Sequence, residues 1–388
     1  MERTQLLSQL AALSGEFGTS RYVHGGGGNT SVKENGILWI KPSGRTLAGL
    51  EPGDFIGLER ASLADLYGPD LPAEPADREE AARRILAGAV LPGSTGRPSV
   101  ETPLHDSIPA RFVVHTHATL VNGLTCARGG REACARLFPD ALFIDYCDPG
   151  CRLARRVREE LARLGSGGAA NGLVIFLQNH GVFVAADQPP LIRTAYDRIM
   201  KTLADHYRRH GLEVALADAP GTDTGSGTAA EPVFLTAGDP IPASLSELLP
   251  QSTAAAFAGQ AERLFAAWPT DNPLHLAIGT GSGTVGGPLT PDHIVYAGTE
   301  PFAGPPTTEA VAAWRRRFGY DPKVIILAGV TCGAGSTPDR AALALEVARD
   351  AVEIVRLADT FGGVRYLDRD ATRFIEGWEV ERYRNRQI

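Results

Sequence analysis

Short runs of consecutive apolar residues alternate with longer stretches in which apolar positions recur every three or four residues. The run Phe112-Val113-Val114 within 111–116 predicts a buried strand, as do 173–177 and 37–40. Helical spacing predicts helices over 76–91, 152–164 and 190–210, and the first of these carries Glu79, Glu80, Arg83 and Arg84 on its polar side. Strands and helices alternate through roughly the first 210 residues, which predicts a layered α/β domain.

The pattern stops between 215 and 244. There Ala, Gly, Thr, Ser and Pro dominate, as in Ala219-Pro220-Gly221-Thr222-Asp223-Thr224-Gly225-Ser226-Gly227. Such a stretch buries too little apolar surface to fold alone and reads as a connector. The predicted organisation is a domain over 1–214, a linker over 215–244 and a smaller α/β domain over 245–388. In the latter, a strand over 324–327 runs through a glycine-bearing turn, 329–335, into a helix over 338–359. No internal repeat of fixed period is apparent.

Composition agrees with a packed protein: of 388 residues, 43% are hydrophobic and 21% charged. A chain of that length exceeds what one core usually serves, which again favours two domains. The net charge of -7 is spread without a basic stripe, so nucleic acid and anionic membrane surfaces are not expected partners. Residues 1–13 mix Glu2 and Arg3 with apolar residues and lack a signal-peptide pattern, and no apolar run reaches the ~18 residues of a spanning helix. A cytoplasmic protein is expected. Five cysteines, Cys126, Cys134, Cys147, Cys151 and Cys332, form no CxxC pair and read as buried thiols.

Three histidines suggest chemistry. His115 and His117 are one residue apart on a predicted strand, so their side chains point to the same face. His180 ends a second strand at a glycine turn, a place where ligands gather at a sheet edge. Three imidazoles suit zinc, manganese, cobalt or iron and leave positions open for a substrate oxygen. Glu101, in Pro98-Ser99-Val100-Glu101-Thr102-Pro103, is a carboxylate fit to be ligand or general acid/base. The plain alternatives are core histidines held by hydrogen bonds and a glutamate favoured by a helix N-terminus.

Two polar loops accompany them. His24-Gly25-Gly26-Gly27-Gly28-Asn29-Thr30-Ser31 offers backbone N–H groups and polar side chains to a phosphate or sugar, and Lys41-Pro42-Ser43-Gly44-Arg45-Thr46 offers a second such turn. Each also fits a plain hairpin loop. The spacing in Gly281-Ser282-Gly283-Thr284-Val285-Gly286 imitates a dinucleotide fingerprint, but Gly287-Pro288-Leu289-Thr290-Pro291 follows instead of a helix, so nucleotide binding is rejected. The stretch 329–336 reads as a strand-to-helix turn rather than an anion loop.

Taken in order, Gly28-Asn29-Thr30-Ser31, Pro42-Ser43-Gly44, Ser99-Val100-Glu101, His115-Thr116-His117 and Asn179-His180-Gly181 resemble the class II aldolase/adducin family over roughly residues 5–210. Gly287-Pro288-Leu289-Thr290-Pro291-Asp292-His293, Trp378-Glu379-Val380-Glu381 and Thr102-Pro103-Leu104-His105 are similar to the aldolase half of bifunctional rhamnulose-1-phosphate aldolase/lactaldehyde dehydrogenase proteins, without the dehydrogenase domain. The resemblance implies a three-layer αβα sandwich around a mostly antiparallel sheet, assembled as a homotetramer. It implies a metal, usually zinc, on His115, His117 and His180, with Glu101 as acid/base. Gly28, Asn29, Ser43, Gly44 and Ser99 would line the phosphate or carboxylate end of a sugar substrate. Many members have two serines before the catalytic glutamate, whereas Val100 stands here in place of the second. Some also supply a tyrosine to protonate the leaving aldehyde, for which Tyr146 and Tyr207 are the candidates.

These readings converge on metal-assisted cleavage of a carbon–carbon bond next to a carbonyl, through an enediolate. Epimerisation, dehydration and decarboxylation use the same chemistry and stay open. An adducin-like interaction protein without metal is the rival from another class.

Overall fold

Each apolar run predicted as a strand is one. The structure is a computed structural model and describes residues 3–68, 71–72, 74–164, 172–214, 231–239, 242, 244–269, 272–279, 283 and 285–377. By their contacts, residues 3–214 with 357–365 form one unit, and 231–356 with 366–377 a second.

The first unit begins with helix α1 (Arg3–Phe17) and strands β1 (Asn29–Glu34), β2 (Ile37–Ile40) and β3 (Ile56–Glu59). Helices α2 (Pro75–Ala89) and α3 (Thr102–Ser107) lead to β4 (Phe112–Thr116), followed by α4 (Thr119–Thr125), α5 (Gly130–Leu137), β5 (Leu142–Ile144) and α6 (Cys151–Leu164). The hairpin β6 (Leu173–Leu177) and β7 (Gly181–Ala186) then feeds α7 (Pro189–Arg209). The strands form one mixed sheet in the order β3-β2-β1-β4-β7-β6-β5, antiparallel except for β5 beside β6. Strand alternation splits its side chains into two cores. Val114, Val182 and Val184 meet α1, α4 and α7 on one face, while Val113, Ile175 and Phe183 meet α3 and α6 on the other.

The second unit holds β8 (Val233–Thr236), α8 (Leu245–Leu248), α9 (Gln251–Ala267) and β9 (His275–Ile278). A single π turn (His293–Ala297), α10 (Thr308–Phe318), β10 (Val324–Leu327), β11 (Val330–Gly335), α11 (Pro338–Ala358) and α12 (Arg369–Gly377) follow. Its four strands pair antiparallel in the order β10-β11-β9-β8.

Several expectations change. The stretch read as linker contains β8, because Val233 and Leu235 find partners across β9 that the local sequence does not reveal. Residues 215–230 lie outside the described residues, as do 378–381 and half of the rejected glycine motif. The glycine-bearing stretch 329–335 is mainly strand β11, with only Ala328 and Gly329 turning. Residues 357–365 belong with the first unit rather than the C-terminal one.

A repeat is also present, in topology rather than in period. In chain order β8, β9, β10 and β11 pair as β1, β4, β6 and β7 do. Each hairpin turns through a left-handed residue, Asn179 (φ 53°) and Ala328 (φ 48°), and each second strand leads into a helix of 21 residues. Residues at matching register share a face: the row Asn29, His115, Phe183 and Ile175 corresponds to Val233, Ile278, Cys332 and Ile325. Among the described residues no helix is long and apolar enough to cross a membrane.

Candidate metal centre

His115 is the fourth residue of β4, on the face that carries Val113, and His117 lies just past the strand end. His180 sits in the turn between β6 and β7, and Glu101 directly precedes α3. The fold brings these four together. One donor atom from each lies within 4.8 Å of the others, and all four residues are buried. His115 Nε2 is 2.8 Å from His117 Nε2, 3.3 Å from His180 Nε2 and 3.1 Å from Glu101 Oε1. His180 Nε2 is also 3.1 Å from Glu101 Oε1.

The tautomer of His115 follows from its other nitrogen. Nδ1 lies 2.9 Å from the carbonyl of Val182, which only accepts, so Nδ1 carries the hydrogen and Nε2 presents a lone pair to the cluster. Burial pushes the His115 imidazole down to about 4, against the opposing pull of Glu101, so it is neutral near pH 7. Burial would raise Glu101, but His115 and His180 outweigh it and hold the carboxyl well below its usual range. Three nitrogens converging on one carboxylate oxygen, with no cationic side chain among them, are the donor set of a divalent cation. The residues therefore fit a metal.

Close backbone approach sets this geometry at two glycines. A Cβ on Gly181 would lie 2.3 Å from Thr116 O and 2.8 Å from His117 Cδ2. One on Gly28, where φ is +70°, would lie 2.6 Å from Val23 Cγ1 and 2.8 Å from His115 O.

The flanking residues sort by strand alternation. Asn29 and Ser31 face the site side of β1: Asn29 Nδ2 donates to Ser99 Oγ at 3.0 Å and to Glu101 Oε2, and Ser31 Oγ bonds His105 Nδ1 at 2.7 Å. Thr30 points the other way, to Ser14 Oγ at 2.6 Å, so the polar end of the first loop is strand and only part of it reaches the site. Ser43 N–H donates to Arg97 O at 2.9 Å, two residues before Ser99. Tyr207 is corrected: its hydroxyl is buried on the α7 face and donates to Leu120 O at 2.7 Å, which takes it out of proton transfer at this site. Tyr146 is half-buried, and its N–H donates to Gln178 Oε1 at 3.1 Å.

Three residues that the sequence motifs contain, without a role being assigned to them, also contribute. Buried Lys41 donates to Gly26 O at 3.2 Å and Arg45 O at 2.6 Å, tying the two polar loops together. His105, one helical turn after Glu101, packs edge-on against Phe183, which stacks on His115 at 3.9 Å. Asn179 holds the His180 turn from two sides, through its N–H to Thr125 O and its amide to Arg365 O. A one-turn spacing from Glu101 was the available signal for His105. Nothing local signals Arg365.

A mixed sheet covered on both faces, with a buried His/Glu cluster at a strand end, defines an α/β protein with a metal-type centre. The chain belongs to the class II aldolase and adducin N-terminal domain family, whose sequence profile matches residues 8–202. It is 27% identical over 187 residues to the uncharacterized oxidoreductase YuxG of Bacillus subtilis (strain 168), a match covering 45% of this chain and only 26% of that protein. Among solved structures, the N-terminal class II aldolase domain of a conserved Thermoplasma acidophilum protein has 25% identity and a TM-score of 0.44, covering 51% of this chain and 91% of that one. YgbL of Klebsiella pneumoniae has 19% identity and a TM-score of 0.40, covering 55% and 93%.

Proposed function

We propose that the chain is a divalent-metal-dependent aldehyde-lyase that cleaves a ketose or ketose phosphate next to its carbonyl. The observation that carries this reading is the convergence of His115, His117 and His180 on a carboxylate that Asn29 holds in place. A divalent cation on the three imidazoles, zinc first by donor type with manganese or cobalt as alternatives, would supply Lewis acidity toward a carbonyl oxygen.

The chain's own groups do the rest. Glu101 accepts and returns the proton at the carbon beside that carbonyl, and its carboxyl, held below the usual range by His115 and His180, is in the ionised form that can accept one. Asn29, fixed by Ser99, orients the carboxylate, holding Oε2 and turning Oε1 toward the imidazoles. Gly28, Ser43, Gly44 and Ser99 line the anionic end of the substrate, with Val100 removing one polar contact there. The kinship to the aldolase half of bifunctional rhamnulose-1-phosphate aldolase/dehydrogenase proteins belongs to this proposal. The partial match to a longer relative named an oxidoreductase supports it. A homotetramer in the cytoplasm completes the reading.

The test is metal-replete protein incubated with ketose 1-phosphates, rhamnulose 1-phosphate included, unphosphorylated ketoses and 2-keto-4-hydroxy acids, with products identified by NMR. Release of an aldehyde from one of them, lost in Glu101→Gln with metal content retained, is the expected result. Turnover at the parent rate in Glu101→Gln would remove Glu101 from the mechanism, and no aldehyde from any of the compounds would remove the lyase assignment.

A further inference from the structure

The topological correspondence between the two units lets their strand rows be compared residue by residue. Where the first unit has Asn29 and His115 in one register row, the second has Val233 and Ile278, and its hairpin turn is shorter and carries no histidine. Ile278 is packed into an apolar core with Cys332, Ile325 and Leu327. Among the described residues, the register row that carries His115 in one unit is apolar in the other.

A different place has opened instead. In the first unit, α4 follows β4 and closes on α7: Tyr207 donates to Leu120 O, and a Cβ on Gly123 would lie 2.5 Å from the Tyr207 hydroxyl. In the second unit the π turn is the helical turn that follows β9, and α11 presents Ala348 and Ala351 toward it. The small residues leave a cleft of about 50 Å³, room for a few water-sized groups and so for a short polar molecule. A π turn is itself a rare element that recurs at functional sites.

His293 lines this cleft from the first position of the π turn and is 4% exposed. Its Nδ1 lies 2.7 Å from Thr290 Oγ1. Its Nε2 has no hydrogen-bond partner, although Asp350 Oδ2 lies 3.3 Å away, off the line of a good bond. A buried, unsatisfied ring nitrogen costs free energy unless something binds it. Because the Thr290 hydroxyl can donate or accept, Nε2 can be either bare or protonated, and a hydroxyl group satisfies both states. Such a hydroxyl, placed beside Nε2, can also donate to the Asp350 carboxylate. The walls, from Val285, Ala348 and Ala351, suit carbon, and the Glu300 carboxylate in the lining is already paired with Arg317. Among the described lining residues there is no lysine or arginine to attract an anion.

We propose that this cleft is a second small-molecule site, for an uncharged alcohol or short polyol whose hydroxyl lies between His293 and Asp350. It is independent of the metal centre and of the lyase reading.

Saturation-transfer NMR on the full chain, with propane-1,2-diol and glycerol as probes, tests it. Saturable transfer to at least one probe is expected, and it should persist in His115→Ala, which removes a ligand at the other site. His293→Phe should weaken apparent binding about tenfold or more, the effect of losing one hydrogen bond to a buried group. Ala351→Phe, which fills the cleft and leaves the His293 residue itself unchanged, should abolish it. No saturable transfer from the parent protein, equal transfer in both cleft variants, or more effective competition by phosphate or ethanolamine than by a second diol would each overturn the assignment.

Discussion

Asn29 lies directly opposite His115 across the β1–β4 pair, and its amide donates to the Glu101 carboxylate that faces the same imidazole at 3.1 Å. One register position thus fixes an imidazole of the cluster and the residue that holds the Glu101 carboxylate, the proposed base. In Asn29→Leu the carboxylate loses a donor that favours its charged form, so its proton affinity rises. Metal content should stay at the parent level while turnover falls about a hundredfold, the scale of a misplaced general base. The acid limb of the rate profile should move to higher pH. An unshifted profile at parental turnover would show that Asn29 does not orient Glu101.

Gly181 tests whether the ligand geometry depends on backbone contact between β7 and β4. The added methyl of Gly181→Ala meets Thr116 O and His117 Cδ2, and either the strands separate or the imidazole swings out. Overpacking of this kind costs about 1–3 kcal/mol. Thermal denaturation should show that loss, and metal titration should show weaker binding than in the parent. Parental values in both measurements would contradict the close approach.

Lys33 supplies a pH dependence of stability away from the centre. Burial lowers its ammonium to about 7, against the opposing effect of Asp106, and its Nζ donates to Ala110 O at 2.9 Å. The folded value lies below the ordinary ~10.4 of an unfolded lysine, so between these limits the unfolded chain binds more protons. Stability from this group therefore rises with pH from about 7 toward 10 and is flat below. Relative to Lys33→Met, which keeps the volume and removes the charge, the parent should gain ground in urea denaturations at pH 7, 8 and 9. A constant gap between the two proteins would refute the assignment.

All five cysteines are free thiols, and four of them are buried. Burial pushes Cys134 and Cys151 up to about 12, and it raises Cys147 and Cys332 as well. Thiolate is the reactive form. A dithionitrobenzoate titration at pH 8 should find one slow thiol in the native protein, Cys147, and five after denaturation. Fast reaction of two or more native thiols would mean that the packing around α5 or β11 is looser than described.

The strand and helix positions of the first unit were legible because burial on a sheet or along a helix leaves a period in the chain. The predicted strand over 111–116 is Phe112–Thr116, and the predicted helix over 190–210 is Pro189–Arg209. Where the sequence offered only composition it misled. Val233–Thr236 looked like connector because a short strand gains its stability from the neighbour it pairs with, and β9 lies far along the chain. The correspondence between the two sheets was hidden for a related reason: the register rows keep the face of each residue while exchanging His115 for Ile278 and Phe183 for Cys332.

For the site itself, the one-residue spacing of His115 and His117 pointed to two imidazoles on one face, by the alternation of an extended backbone, although His117 lies just past the end of β4. That His180 and Glu101 meet them was decided only by the tertiary structure, in which β7 brings the turn back beside β4 and α3 starts at the same end of the sheet. The same holds for Asn29, whose amide reaches Glu101 because β1 pairs with β4 in one register and no other. A side chain's direction is written locally by the backbone period. Its partner is chosen by pairing and packing between segments distant in sequence, and those depend on the whole fold.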